Sequence, residues 1–214
     1  MKPSLSCVLL RFLIITTCSI YSTTTTLSEI LDITGRELVR NGGKYYIIPI
    51  QGGRIKLTAT MDGEKFCPLK VVRDPSEDTL GDGFYFTHYT RDAFLRTSRI
   101  LSIDSGSLVG ECKASTIWAI PNAESKAPSN LITSGGDRRK CFQVVNYPRP
   151  IGSDSKFRPP TYMLQYCPSF CGATSKTCFN ISIYSYKGVT RLASGGGTPF
   201  EFGFYKVQTT GDSM

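Results

Sequence analysis

The sequence predicts an all-β protein, a closed or nearly closed barrel of short strands. Three observations carry that expectation. Apolar residues recur with period two in many short segments, glycine-rich turns separate those segments, and nothing beyond the N-terminal stretch keeps a helical period. With 214 residues, 20 of them glycine, and 40% hydrophobic content, the chain suits one sizeable core and hence one domain.

Taken in chain order, the first element expected is a secretion signal over residues 1–25. Lys2 gives it a basic start. Val8-Leu9-Leu10 and Phe12-Leu13-Ile14-Ile15 form an apolar stretch broken by Arg11, and Ser22-Thr23-Thr24-Thr25-Thr26 follows. No uninterrupted apolar run approaches the roughly 18 to 20 residues that span a bilayer, so no membrane association is expected once the signal is gone. Cleavage near Thr23 to Thr26 removes Cys7 and Cys18 and leaves six cysteines, an even number, where disulfides persist.

The remaining domain, residues 26–214, is expected to place strands at Tyr45 to Ile50, Arg54 to Thr60, Phe84 to Thr87, Arg99 to Ile103, Ser115 to Ile120 and Cys141 to Val145. Tyr162, Leu164 and Tyr166 alternate, as do Ile181 with Ile183 and the run Phe200-Glu201-Phe202-Gly203-Phe204. Between them lie Asn41-Gly42-Gly43, Gly52-Gly53, Gly81-Asp82-Gly83, Ser134-Gly135-Gly136 and Gly195-Gly196-Gly197, all turn formers. About a dozen short strands imply closure, which hides raw edges. No sharp internal repeat is visible, and no compositional shift marks a linker.

Charge and residue inventory exclude several functions. The formal charge is +8, or +6 without Lys2 and Arg11, yet Lys and Arg are scattered and only Arg138-Arg139-Lys140 forms a run. That is a solvated basic surface, and no nucleic-acid partner is expected. His88 is the only histidine and has no nucleophile signature nearby, so a Ser-His-Asp or Cys-His arrangement has nothing to run through. Ser194-Gly195-Gly196-Gly197-Thr198 lacks the lysine of a phosphate loop and suits a hairpin turn. Glu77-Asp78 are mere neighbours, Trp118 suits a core, and zinc clusters need close cysteine pairs and histidines that are missing here. No enzyme, metal or cofactor is expected.

Leu31-Asp32-Ile33-Thr34-Gly35-Arg36-Glu37-Leu38 and then Asn41-Gly42-Gly43-Lys44-Tyr45-Tyr46-Ile47, with one extra residue between Leu38 and Tyr45, resemble the N-terminal signature of a family, the soybean-type Kunitz inhibitors of plants. Cys67-Pro68-Leu69-Lys70-Val71-Val72 is similar to the segment of its first conserved cysteine, and Cys112 with Trp118 resembles its second. Tyr162-Met163-Leu164-Gln165-Tyr166-Cys167-Pro168 and Cys178 resemble its closing disulfide region. The likeness runs from about Ile30 to Val207. It implies a β-trefoil, twelve strands of which six close a barrel and six cap it, and a monomer whose function lies on loops.

It also implies a reactive loop. From Cys67 to Asp104 the chain aligns without a gap to trypsin-inhibiting members, with Gly81, Gly83, Phe94 and Leu101-Ser102-Ile103 in step. On that register Arg91 is the anchor residue and Arg91-Asp92 the scissile bond. His88, Tyr89 and Thr90 make the contacts before the bond, Ala93 and Phe94 those after it, and Asn41 braces the loop from behind. The implied partner is a trypsin-like serine protease, whose pocket aspartate can meet the Arg guanidinium with two parallel hydrogen bonds. Asp92 departs from the apolar or small residue usual after the bond, and Arg96 and Arg99 stand close enough to offer alternative anchors.

Six cysteines permit fifteen pairings. The resemblance supports Cys67 with Cys112 and Cys167 with Cys178. Cys141 and Cys171 remain, either as a third bridge or with Cys171 taking another partner. Asn180-Ile181-Ser182 is a glycosylation sequon on an expected strand. The resemblance leaves a second function class open, a non-inhibitory storage or binding trefoil, or an inhibitor of a cysteine protease or other hydrolase; the aromatics Tyr147 and Phe157 would serve such binding. Export to the cell exterior or to a vacuole follows from the signal.

Overall fold

In the computed structural model, the described residues are 27–59, 67–106, 112, 115–137, 141–149 and 159–208. They form ten strands: β1 (Lys44–Pro49), β2 (Arg54–Thr58), β3 (Lys70–Asp74), β4 (Gly83–His88), β5 (Ile100–Asp104), β6 (Phe142–Asn146), β7 (Tyr162–Tyr166), β8 (Phe179–Tyr186), β9 (Val189–Ser194) and β10 (Glu201–Lys206). The expected signal, the Arg138-Arg139-Lys140 run and Phe157 lie outside the described residues.

Every pairing is antiparallel, and β1, β4, β5, β6, β7 and β10 close on themselves because β10 pairs with β1 on one side and with β7 on the other. Closure follows from alternation. In β1 the buried residues are Tyr45, Ile47 and Pro49, in β4 Phe84, Phe86 and His88, and in β7 Tyr162, Leu164 and Tyr166, so one face of each strand lines the interior. Phe204 sits among Phe86, Phe202, Tyr162 and Tyr45, with ring centroids 4.9 to 5.9 Å apart and mostly edge to face. Such pairs each add roughly 0.5 to 1.5 kcal/mol beyond the burial of their area. Trp118 is buried against Phe84, centroids 5.0 Å apart, as its size suggests.

Two hairpins, β2 with β3 and β8 with β9, cap one end of the ring. A third pair of segments meets in the same way but only through bridges: Ala119 and Thr133 exchange backbone hydrogen bonds of 2.8 and 3.0 Å, and Leu131 bridges to Ala193. Each third of the chain therefore supplies a barrel strand, two capping segments and a second barrel strand, the arrangement of a β-trefoil. The topology repeats although the sequence does not, because a strand needs only apolar residues at alternate positions to occupy its place.

Three expectations differ from the structure. Ser115 to Ile120 forms bridges at Ile117 and Ala119 rather than a strand. Period-two alternation does not mark β3 and β9; Lys70, Val71 and Val72 are buried in succession, as are Arg191, Leu192, Ala193 and Ser194, so neither strand alternates. One short 3-10 turn, Pro168–Cys171, follows β7 and ends at Gly172 in the left-handed conformation, φ 86°.

Ahead of the barrel, the signature Leu31 to Leu38 folds around Asp32. Its carboxylate accepts from the Thr34 hydroxyl at 2.7 and 2.9 Å and from the backbone N–H groups of Arg36 and Glu37 at 3.2 Å. Burial pushes the carboxyl upward, but these donors outweigh it and hold Asp32 below the ordinary aspartate value. The Tyr162 hydroxyl accepts from Leu31 N–H at 2.8 Å and ties this turn to β7. Burial chiefly raises the Tyr162 pKa above its ordinary value; the Leu31 bond opposes the rise and the Asp32 charge adds to it.

Candidate functional site

Beyond β4 the chain leaves the barrel and returns to β5, and residues 89 to 94 form the outward bulge of that crossing. Arg91 and Ala93 are exposed, Tyr89 is 70% exposed, and Thr90, Asp92 and Phe94 are half-buried. A loop this open would be loose without supports, because each residue retains most of its backbone freedom.

Asn41 supplies the support from the turn that leads into β1. Its Nδ2 donates to Thr90 O and to Asp92 O, both at 3.1 Å, and its Oδ1 accepts from His88 N–H at 3.0 Å. The backbone beneath adds Asn41 N–H to Ala93 O at 2.9 Å and Gly42 N–H to Phe86 O at 2.7 Å. One amide side chain thus grips the carbonyls on either side of Arg91. The turn that presents it needs glycines: Gly42 has φ +76°, and a Cβ on Gly43 would lie 2.6 Å from the Tyr45 ring. After the bulge the chain is fastened again, by an Arg40 to Phe94 bridge and by Leu95 N–H to Val39 O at 2.7 Å.

His88 is buried, 3% exposed, although the family likeness implies a contact with the partner at this position. Alternation explains the difference, since His88 continues the inward row of Phe84 and Phe86. Its Nε2 lies 3.2 Å from Phe94 O and its Nδ1 2.6 Å from Thr90 Oγ1. Thr90 Oγ1 lies in turn 3.0 Å from Asp92 Oδ2. These side-chain bonds inside the loop had no signal in the sequence. Of the alternative anchors, Arg96 pairs with Glu29 at 3.7 Å and, like Arg99, is half-buried. Arg91 is the exposed arginine of this crossing.

The chain matches the Kunitz legume family model, described as trypsin and protease inhibitor, over residues 30–206. It belongs to that family. Trypsin inhibitor 1A of Psophocarpus tetragonolobus is 32% identical over 189 residues, covering 85% of this chain and 99% of the relative. Soybean trypsin inhibitor (Kunitz), solved with 1,5-disulfonyl naphthalene, is 25% identical and superposes with a TM-score of 0.67 over 85% of this chain and 100% of its own. The soybean inhibitor in complex with porcine pancreatic trypsin, 23% identical with the same coverage and a TM-score of 0.66, repeats the fold. Kunitz inhibitors of this kind are not enzymes, and the site is an exposed loop rather than a cleft.

Three cysteine bridges occur among the described residues of the Kunitz chain. Cys67 is joined to Cys112, Cys141 to Cys171 and Cys167 to Cys178. The first brackets residues 89 to 94 in sequence, and the other two fasten the 3-10 turn to β6 and to the start of β8. Asn180 of the sequon pairs with Gln165 across β7 and β8, its Oδ1 accepting from Gln165 Nε2 at 2.8 Å. Tyr147 is half-buried. No cluster of His, Cys, Asp or Glu suited to a metal occurs among the described residues.

Proposed function

We propose that this chain inhibits a trypsin-like serine protease by offering Arg91-Asp92 as a substrate-like bond. The Arg91 guanidinium enters the specificity pocket and meets its aspartate, while the loop lies against the catalytic serine. Attack by that serine forms an ester at the Arg91 carbonyl and releases the Asp92 amine. Asn41 holds Thr90 and Asp92 to the barrel on both sides of the break, so the amine stays beside the ester carbonyl. Return of the amine then outpaces attack by water, because a tethered nucleophile has a large effective concentration. The observation that carries this reading is the pair of hydrogen bonds that Asn41 Nδ2 donates to the Thr90 and Asp92 carbonyls.

The reading extends to a secreted or vacuolar monomer freed of residues 1–25, where the bridges persist. The experiment is a stoichiometric titration of trypsin, chymotrypsin and papain with the purified protein and with Arg91→Ala. Saturable inhibition of trypsin is expected, and Arg91→Ala should lose roughly 2 to 8 kcal/mol of binding, the range of anchor residues. Full trypsin activity at stoichiometric excess, or an unchanged constant for the variant, overturns the assignment. Inhibition of papain alone would favour the cysteine-protease alternative.

A further inference from the structure

The hydrogen bonds within the loop contain a proton count that depends on His88. Phe94 O can only accept, so His88 Nε2 carries a hydrogen and donates to it across 3.2 Å. Thr90 has one hydroxyl hydrogen and two neighbours, His88 Nδ1 at 2.6 Å and Asp92 Oδ2 at 3.0 Å. With a neutral imidazole, Nδ1 is a bare acceptor, and the ring and the carboxylate compete for that single hydrogen. With a protonated imidazole, Nδ1–H donates to Thr90 Oγ1 and the hydroxyl is free to donate to Asp92. Each acceptor in the chain, Phe94 O, Thr90 Oγ1 and Asp92 Oδ2, then has a donor.

We infer that His88 and Thr90 are positioning residues of the reactive loop, a proton-dependent relay that ties the Asp92 carboxylate back and strengthens protease binding when His88 is protonated. The inference rests on the Arg91-Asp92 reading. It explains how an acidic residue is tolerated after the bond: the carboxylate is held within the loop and faces a countercharge, instead of standing free beside the oxyanion. The charged residues on the elements around His88 are Asp92 and Arg91 in the loop, Arg96 just beyond Phe94, Arg40 on the segment bridging to Phe94, Arg99 just ahead of β5, whose Leu101 pairs with His88, and, at the far ends of the paired strands, Asp104 on β5 and Lys44 on β1. Asp92 is the one joined to the imidazole through a chain of hydrogen bonds.

The test measures binding by calorimetry to a trypsin whose catalytic serine is replaced by alanine, for the parent protein and Thr90→Val. The ratio of the two affinities cancels the protease's own titration. The parent's lead over Thr90→Val should grow as pH is lowered from about 8 toward about 5, reaching about tenfold where His88 is protonated and about twofold or less where it is neutral. Thr90→Ser should restore the parent profile, and Asp92→Asn, which keeps the shape of the loop, should flatten it. A ratio that is constant with pH, or that grows with pH, overturns the relay.

The chain's single histidine gives an unambiguous imidazole NMR signal, which provides a readout free of the protease. Asp92 and Thr90 signals should move with the His88 midpoint in the parent and not in Thr90→Val. Independent movement overturns the relay even if trypsin is bound. Coupled movement with no trypsin binding at any pH would support the relay and overturn the inhibitory reading.

Discussion

Replacing Asn41 with alanine removes three hydrogen bonds at once, those from Nδ2 to Thr90 O and Asp92 O and that from His88 N–H to Oδ1. At about 1 kcal/mol net apiece the loss is about 3 kcal/mol. Thr90 and Asp92 are half-buried, so water replaces part of it and about 2 kcal/mol remains, or about thirtyfold in affinity. A second effect falls on lifetime. Without the brace the freed Asp92 amine drifts from the ester, and the inhibitor becomes a slow substrate. Titration of trypsin at fixed concentration reads the first effect, and a time course on denaturing gels reads the second. Asn41→Asp keeps the acceptor but has no donor, so it should resemble alanine; a thermal melt of each variant separates loss of the brace from loss of the fold. An Asn41→Ala protein that inhibits as tightly as the parent and stays intact would refute the reasoning.

Three further outcomes are expected. Tyr162→Phe removes the acceptor for Leu31 N–H in a buried setting and should cost about 1 to 2 kcal/mol in denaturant unfolding, with trypsin affinity unchanged. Asp32→Asn should be less stable than the parent near neutral pH. Because the native pKa of Asp32 is depressed, its contribution is complete above the ordinary value of 3.8 and is lost as pH falls through the native value. The gap between the two proteins should therefore close in acid, and a gap that widens there would contradict the sign. Replacing both Cys141 and Cys171 by serine reopens a bridge with a sequence separation of 30 and should cost about 3 to 4 kcal/mol by equilibrium unfolding.

Much of the barrel is legible from alternation alone. Tyr45 with Ile47, Phe84 with Phe86, Tyr162 with Leu164, and Phe202 with Phe204 line the interior, as period two demands. β3 and β9 escape that signal because several consecutive residues are covered, among them Lys70 and Arg191, residue types that ordinarily mark a surface. The loop divides in the same way. Arg91 and Asn41 can be located through the family likeness, and the structure sets the Asn41 amide against the carbonyls that flank Arg91. His88 appears in the sequence as one more polar loop residue, yet β4 extends far enough to turn it inward. The contacts of Thr90 with His88 and Asp92 depend on side-chain torsions, which residue spacing does not encode.

The most direct test of the braced-loop account is to incubate the protein with a catalytic amount of trypsin, quench in acid, and read the new chain ends by mass spectrometry after reduction. The account predicts one cut, with ends at Arg91 and Asp92, reaching a plateau at which intact and cut chains coexist. Ends after Arg96 or Arg99, or digestion that runs on to small fragments, would contradict it.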